Sequence, residues 1–240
     1  MSWLSFRGLV QIAGVIDLDD VNTVVTAGAD SVGIPLRLGF HEPDVTESEA
    51  ARLAKAIPPA HPVLITYCCD AEDIVGLCDL IGADTAQLHG EVTAAEVRRV
   101  RQIRPDLAII CSLIVYNSNP GLLLARAHEL APEVDAFLTD TFDPQTGACG
   151  ATGKPHDWRV SASIARQVPR PIILAGGLRP ETVAEAIRIV QPAGVDVHTG
   201  VEDSQGRKDL KKTTRFVMNA HRAFQSLWPP LEGCGHSMLT

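Results

Sequence analysis

Asp140 closes the apolar run Phe137-Leu138-Thr139 and heads a long segment whose glycines extend from Gly147 to Gly153. Two further loops follow in order, Ala175-Gly176-Gly177-Leu178 and Thr199-Gly200-Val201-Glu202, each after a short run rich in Val, Ile or Leu. Such loops expose backbone N–H groups where strands end, and glycine lets the backbone come close to an anion. Two of them at successive strand ends, the second opening a short helix, are the physical recipe for holding a phosphate monoester. In a (β/α)8 barrel that pairing falls after strands 7 and 8. Asp140 itself has two readings, a turn-capping side chain or a general acid facing a pocket, and position alone balances them.

The elements that must carry these residues can be read from a recurring device, a helix that ends in a small residue plus Asp with an apolar strand following at once. It appears at Ala27-Gly28-Ala29-Asp30, Ile81-Gly82-Ala83-Asp84, Val134-Asp135 and Ala193-Gly194-Val195-Asp196, and its glycines are helix-ending signals. Between these anchors the sequence predicts eight strands, at about 9–13, 31–36, 63–67, 85–88, 107–115, 135–139, 171–175 and 194–198. Helical patterns fill the intervals. Thr46-Glu47-Ser48-Glu49 is a capping box ahead of Ala50, Leu53, Ala54 and Ile57, and Thr93 to Glu96 and Pro180 to Val190 begin helices in the same way. Eight alternating units favour one closed (β/α)8 TIM barrel, residues 1–227, followed by a tail, 228–240, that Trp228-Pro229-Pro230 keeps from continuing a helix. The functional face of such a barrel is formed by strand C-termini, which selects Ala13, Arg37, Cys68, His89, Asp140, Gly176, Gly177, His198, Thr199 and Gly200.

Composition narrows the function classes. The chain has 240 residues, 45% of them hydrophobic and 21% charged, with a net charge of −8, which fits a globular domain able to bury a core. The acidic balance and the absence of a long basic run argue against nucleic acid. Nothing at Met1 to Arg7 resembles a signal peptide and no apolar run approaches a membrane span, so no membrane partner is expected. Six cysteines, Cys68, Cys69, Cys78, Cys111, Cys149 and Cys234, show no C-x-x-C spacing. A reduced, cytoplasmic protein, monomer or homodimer, is the expectation.

Four strings in the right order resemble the signatures of the phosphoribosylanthranilate isomerase family. They are Gln87-Leu88-His89-Gly90-Glu91; Asp140 to Gly147 with Ala151 to Lys154 and Asp157-Trp158; Leu174 to Leu178; and Gly194 to Val197 with Gly200-Val201-Glu202. The likeness extends from Gln11 to about Phe224. It implies a TIM barrel that binds a small-molecule phosphorylated sugar, an N-(5-phosphoribosyl) amine, and carries out an Amadori rearrangement without metal or organic cofactor. It further implies that Asp140 is the acid that helps open the ribose ring and that Gly176, Gly177, Thr199 and Gly200 hold the phosphate. Arg37, His89 and Asp196 are the candidate substrate contacts, His89 having a structural reading as well.

Two departures bear on the reaction. The family's Lys-Ile-Cys-Gly, whose Cys removes the C2′ proton, is here Gln11-Ile12-Ala13-Gly14, and Ala13 has no proton acceptor. A missing general base costs about 10²–10⁴-fold in rate. The second loop, Pro35 to Pro43, lacks the family's Ser-Pro-Arg-like stretch for the anthranilate carboxylate, for which Arg37 is the substitute. In a closed barrel the eighth strand pairs with the first, so His198 falls beside Ala13; if Asp196 faces the mouth, His198, two residues on, does too. Cys68, at the end of the third strand, is a second candidate base. Three functions follow: an isomerase with a substituted base, a relative performing ring opening, hydrolysis or lyase chemistry on another sugar phosphate, or a binder without catalysis. Retention of Asp140 with its whole loop favours an enzyme.

Overall fold

A computed structural model describes residues 6–38, 45–115, 120–141 and 157–228. Eight parallel strands close on themselves in chain order: β1 Leu9–Ala13, β2 Ser31–Leu36, β3 His61–Thr66, β4 Thr85–Leu88, β5 Ala108–Val115, β6 Ala136–Thr141, β7 Ile172–Leu174 and β8 Gly194–Val197. The barrel is sealed where β8 pairs with β1, Gln11 opposite Asp196 and Ile12 opposite Val197. Outside it lie α1 Leu18–Thr26, α2 Glu47–Ala54, α3 Ala71–Ile81, α4 Ala94–Ile103, α5 Pro120–Leu130, α6 Trp158–Gln167, α7 Val183–Val190 and α8 Leu210–Leu227, with a 3-10 turn at Thr199–Val201.

Local signals account for most boundaries. Thr46 caps α2 with the predicted box, its side chain accepting from Glu49 N while Glu49 reaches back, and Thr93 caps α4. Gly28 and Gly82 follow α1 and α3 with positive φ, as their motif requires. The fourth copy of that device differs: α7 ends on Gln191 (φ 53), and Gly194 already lies in β8. Its lack of a side chain serves packing, since a Cβ there would come within 2.9 Å of the Leu9 Cβ.

Two strand ends are displaced from expectation in ways that matter. β6 runs on to Thr141, so Asp140 is a strand residue rather than the first residue of a loop. β8 stops at Val197, and His198 turns out of the strand with φ −116 and ψ −87.

Period-two alternation divides the buried apolar residues into two populations. Val10, Ile12, Val32, Ile34, Leu64, Leu88, Phe137 and Val195 face the helices in the large outer core. Leu9, Ile110, Ala136, Leu138, Ile173 and Ala175 fill the barrel itself, with Ala13, Val63 and Ile65 as a smaller cluster. The barrel is therefore a packed core rather than a pore. Of the expected tail, Trp228 stacks on Phe224 with ring centroids 5.5 Å apart, whereas residues 229–240 lie outside the described residues.

Candidate active site

The alternation that sends Ala136 and Leu138 inward also sends Asp140 inward, to the C-terminal mouth of the barrel. Asp140 is buried; its Oδ1 accepts a 2.7 Å hydrogen bond from Thr141 N, and its Oδ2 lies 3.7 Å from His89 Nε2. His89, one step beyond β4, is tied by its backbone N–H to Thr66 O and by Nδ1 to the Ser112 hydroxyl at 2.6 Å. The Tyr67 ring meets the imidazole edge-on at 5.2 Å. His89 is thus oriented by β3 and β5 so that Nε2 faces the Asp140 carboxyl.

Below this pair sits a polar layer between the two interior apolar clusters. Gln11 Nε2 donates to Gln87 Oε1 at 2.7 Å and to Asp196 Oδ1 at 3.1 Å, and Ser31 Oγ donates to Gln11 Oε1 at 3.2 Å. Burial pushes the Asp196 carboxyl up to about 7, and the nearby charge of Asp140 pushes the same way; the Gln11 hydrogen bond, His198 and Lys208 offset part of it.

At the β1 end the neighbouring strand supplies a histidine. Ala13 faces inward with Val63 and Ile65, and Gly14 follows with φ 76 and its N–H bonded to Gly33 O. The His198 imidazole rests on Gly14, so closely that a Cβ there would collide with the ring. His198 Nε2 is 3.2 Å from Glu202 Oε1, and the same oxygen accepts from Lys208 Nζ at 2.7 Å. Against the cost of its partial burial, hydrogen bonds from His198 and Lys208 and the charge of Lys208 hold the Glu202 carboxyl down at about 2.

The remaining expected residues are placed as follows. Cys68 does not reach the mouth: counting by twos from Leu64 and Thr66, it packs half-buried against the outer core, and the inward position before it belongs to Tyr67. Arg37, at φ 51, directs its guanidinium to Glu47 and Asp73 at 3.0 and 2.8 Å, two carboxylates that hold its proton above the ordinary value. The charge expected to meet a substrate carboxylate is therefore already matched. Most of the loop after Arg37, residues 39–44, and the sixth-loop residues 142–156, Lys154 and His156 among them, lie outside the described residues.

The two glycine loops come together. Gly176 (φ 86) and Gly177 (φ 62) turn the chain after β7, with Ala175 N bonded to Thr139 O. Across from them Gly200 lies against the Leu178 carbonyl, where any Cβ would strike backbone. Asp140, His89, Asp196, Gly176, Gly177, Thr199 and Gly200 are thereby brought to one face of the barrel. Among the described residues no group of three or more His, Cys, Asp or Glu could hold a metal ion. A separate cleft of about 720 Å3, lined by Arg7, Asp30, His61, His221, Phe224 and Trp228, opens at the N-terminal end, away from these groups.

Gln11, Tyr67, Gln87, Ser112 and Lys208 were not singled out by sequence reasoning. Gln11, Gln87 and Ser112 carry a signal, each a polar side chain at an inward step of an otherwise apolar strand. Lys208 carries none, because only the fold brings it under Glu202.

A closed eight-stranded parallel barrel with an inward carboxyl at its C-terminal mouth and glycine loops after the last two strands defines a (β/α)8 barrel of the class that carries its functional groups on that face. Residues 10–219 match the family model for N-(5'-phosphoribosyl)anthranilate (PRA) isomerase. N-(5'-phosphoribosyl)anthranilate isomerase 2 of Methanosarcina mazei is 37% identical over 220 residues, covering 90% of this chain and 95% of the relative. The isomerase of Halorubrum lacusprofundi is 38% identical over 218 residues, covering 90% and 98%. The solved phosphoribosyl anthranilate isomerase of Thermotoga maritima superposes with a TM-score of 0.74 at 30% identity, over 88% of this chain and 98% of that one. The chain belongs to the phosphoribosylanthranilate isomerase family.

Proposed function

We propose that the protein is a phosphoribosylanthranilate isomerase, serving tryptophan biosynthesis in the cytoplasm, in which His198 takes over the base role that Ala13 cannot fill. The observation that carries the reading is the placement of Asp140, within β6, and His198, over the end of β1, at one barrel mouth that also carries the Gly176 and Gly200 loops. A related isomerase has been solved with reduced 1-(o-carboxyphenylamino)-1-deoxyribulose 5-phosphate, at 27% identity and a TM-score of 0.72, which supports a ligand with one phosphate and one aryl amine.

The phosphate is held by the N–H groups of Gly176, Gly177 and Gly200 and by the Thr199 hydroxyl, which leaves the ribose over the Asp196 layer. Asp140, protonated, donates to the ring oxygen as the amine lone pair closes the C1=N bond and the C1–O bond breaks. His198 then takes the proton from C2, and the C–H electron pair becomes the C1=C2 bond while the iminium nitrogen regains its lone pair. Return of a proton to C1, with loss of the C2 hydroxyl proton, gives the 1-amino-1-deoxyketose. Atoms balance without cofactor, as an isomerisation requires. The Thermotoga maritima enzyme is a dimer from which monomers have been made, and a monomer or homodimer is the state expected here.

Asp140→Asn should lower kcat by about 10²–10⁴-fold with phosphate-analogue binding retained. His198→Ala should abolish exchange of the C2 proton with solvent. Full turnover in Asp140→Asn, or undiminished exchange in His198→Ala, would overturn the corresponding role.

A further inference from the structure

The Lys208 side chain is completely buried, an unusual place for an ammonium group unless it is paired. Its Nζ donates to Glu202 Oε1 at 2.7 Å and to the His198 carbonyl at 3.4 Å. An antiparallel bridge joins Glu202 to Lys208, and Asp209 N bonds to Val201 O. Lys208 N in turn donates to Asp20 Oδ1 at 3.1 Å, while Asp20 Oδ2 accepts from Ile16 N at 3.3 Å. A continuous chain of contacts therefore runs from the loop after Gly14, through Asp20 and Lys208, to Glu202 and back to His198.

Glu202 Oε1 faces His198 Nε2 at 3.2 Å. A carboxylate only accepts hydrogen bonds, so the nitrogen facing it carries the hydrogen. The hydrogen bond made by one ring nitrogen of a histidine sets the state of the other. The ring cannot swing away on the β1 side, because its Nε2 edge lies on Gly14.

We propose that Glu202 and Lys208 are positioning residues for His198: the Lys208-anchored carboxylate keeps the imidazole in its Nε2–H tautomer, so that Nδ1 is the nitrogen that receives the C2 proton. The inference rests on the reading of His198 as the base. In the proton transfer the C2–H pair moves into C1=C2, Nδ1 gains the proton, and the resulting imidazolium lies against Glu202. Among the described residues, the charged and titratable groups that face it are Glu202, Lys208 and Asp196.

The test uses the full chain with 15N-labelled histidine. Two-dimensional NMR should show His198 with a protonated Nε2 and an unprotonated Nδ1 when the ring is neutral. Glu202→Gln, which removes the carboxylate charge and can turn either its oxygen or its N–H toward the ring, should erode that signature toward a mixture of tautomers. It should also lower kcat by about 10²–10⁴-fold, up to the whole contribution of a general base, with KM within twofold. Glu202→Asp should restore the tautomer and part of the rate. Added to His198→Ala, Glu202→Gln should cost nothing further. Because Lys208→Met leaves a buried carboxylate unpaired and threatens folding, it is read only through the NMR signature of whatever folds, which should lose the single Nε2–H form. An unchanged tautomer and kcat in Glu202→Gln would overturn the positioning role. Undiminished C2 exchange in His198→Ala would instead overturn the base assignment, whatever the tautomer.

Discussion

Gly14→Ala isolates the contact between β1 and the proposed base. Gly14 has φ 76, a region where an L side chain costs about 1–2 kcal/mol, so the variant should lose roughly that much stability. The new Cβ would also lie 2.5 Å from His198 Cδ2 and 2.7 Å from Cε1. Restoring van der Waals separation of about 3.5 Å requires these carbons to move by roughly 1 Å and Nε2, the nearest ring atom, to move further; even a 1 Å displacement costs about 10²-fold when it misplaces a reacting group. The expected result is a loss of about 10²-fold in kcat/KM together with slower C2 exchange. Thermal unfolding measures the first effect and initial rates with phosphoribosylanthranilate the second. The double variant Gly14→Ala/His198→Ala separates them, because without the ring the alanine should still destabilise but should not slow the reaction beyond His198→Ala alone. Gly14→Ala with kcat/KM within twofold of the parent would refute the placement of His198 at the reacting centre.

Four further outcomes are expected. Asp196, pushed from 3.8 up to about 7, binds more protons folded than unfolded between about pH 4 and 7, so it makes stability fall as pH rises through that window; Asp196→Asn should flatten the fall in denaturant titrations, and an unchanged slope would count against it. Glu202 has the opposite sign, lowered from 4.5 to about 2, so its contribution is complete above pH 4.5 and is lost as pH falls toward 2. Phe137→Ala, in the fully buried outer core between β6 and the helices, should cost about 3–5 kcal/mol by denaturant unfolding, and a cost below 1 kcal/mol would contradict the packing. Cys68→Ala should leave kcat within about twofold, since the thiol faces the helix layer; a loss of the general-base magnitude, about 10²–10⁴-fold, would reinstate it as the base.

The barrel was legible because its evidence is local. Each strand is a short apolar run, each helix has a capping residue such as Thr46 or Thr93, and eight repeats leave few ways to bury both faces of a parallel sheet. The placement of Asp140 and of the Gly176 and Gly200 loops at one end of the barrel was legible for a related reason, since each follows an apolar strand run. The errors fell where a strand end was read one or two residues off. Taking Cys68 as a mouth residue ignored the alternation that gives the inward position to Tyr67. Extending β8 through His198 pointed to Ala13 as the neighbour, whereas the imidazole, turned out of the strand, rests on Gly14.

The sequence by itself determined the number and order of the elements, the glycine loops that follow β7 and β8 and the absence of a proton acceptor at Ala13. Hydrophobic periodicity, capping and glycine placement act over a few residues, so a linear reading captures them. Only the tertiary structure decided that Gln11, Gln87 and Asp196 form one polar layer, that Arg37 is already paired with Glu47 and Asp73, and that Lys208 lies beneath Glu202 and His198. Those contacts depend on barrel closure and on loops folding back over strand ends. Gln11 and Asp196, 185 positions apart, then share a hydrogen bond, and burial in the barrel, rather than any local motif, raises the Asp196 carboxyl.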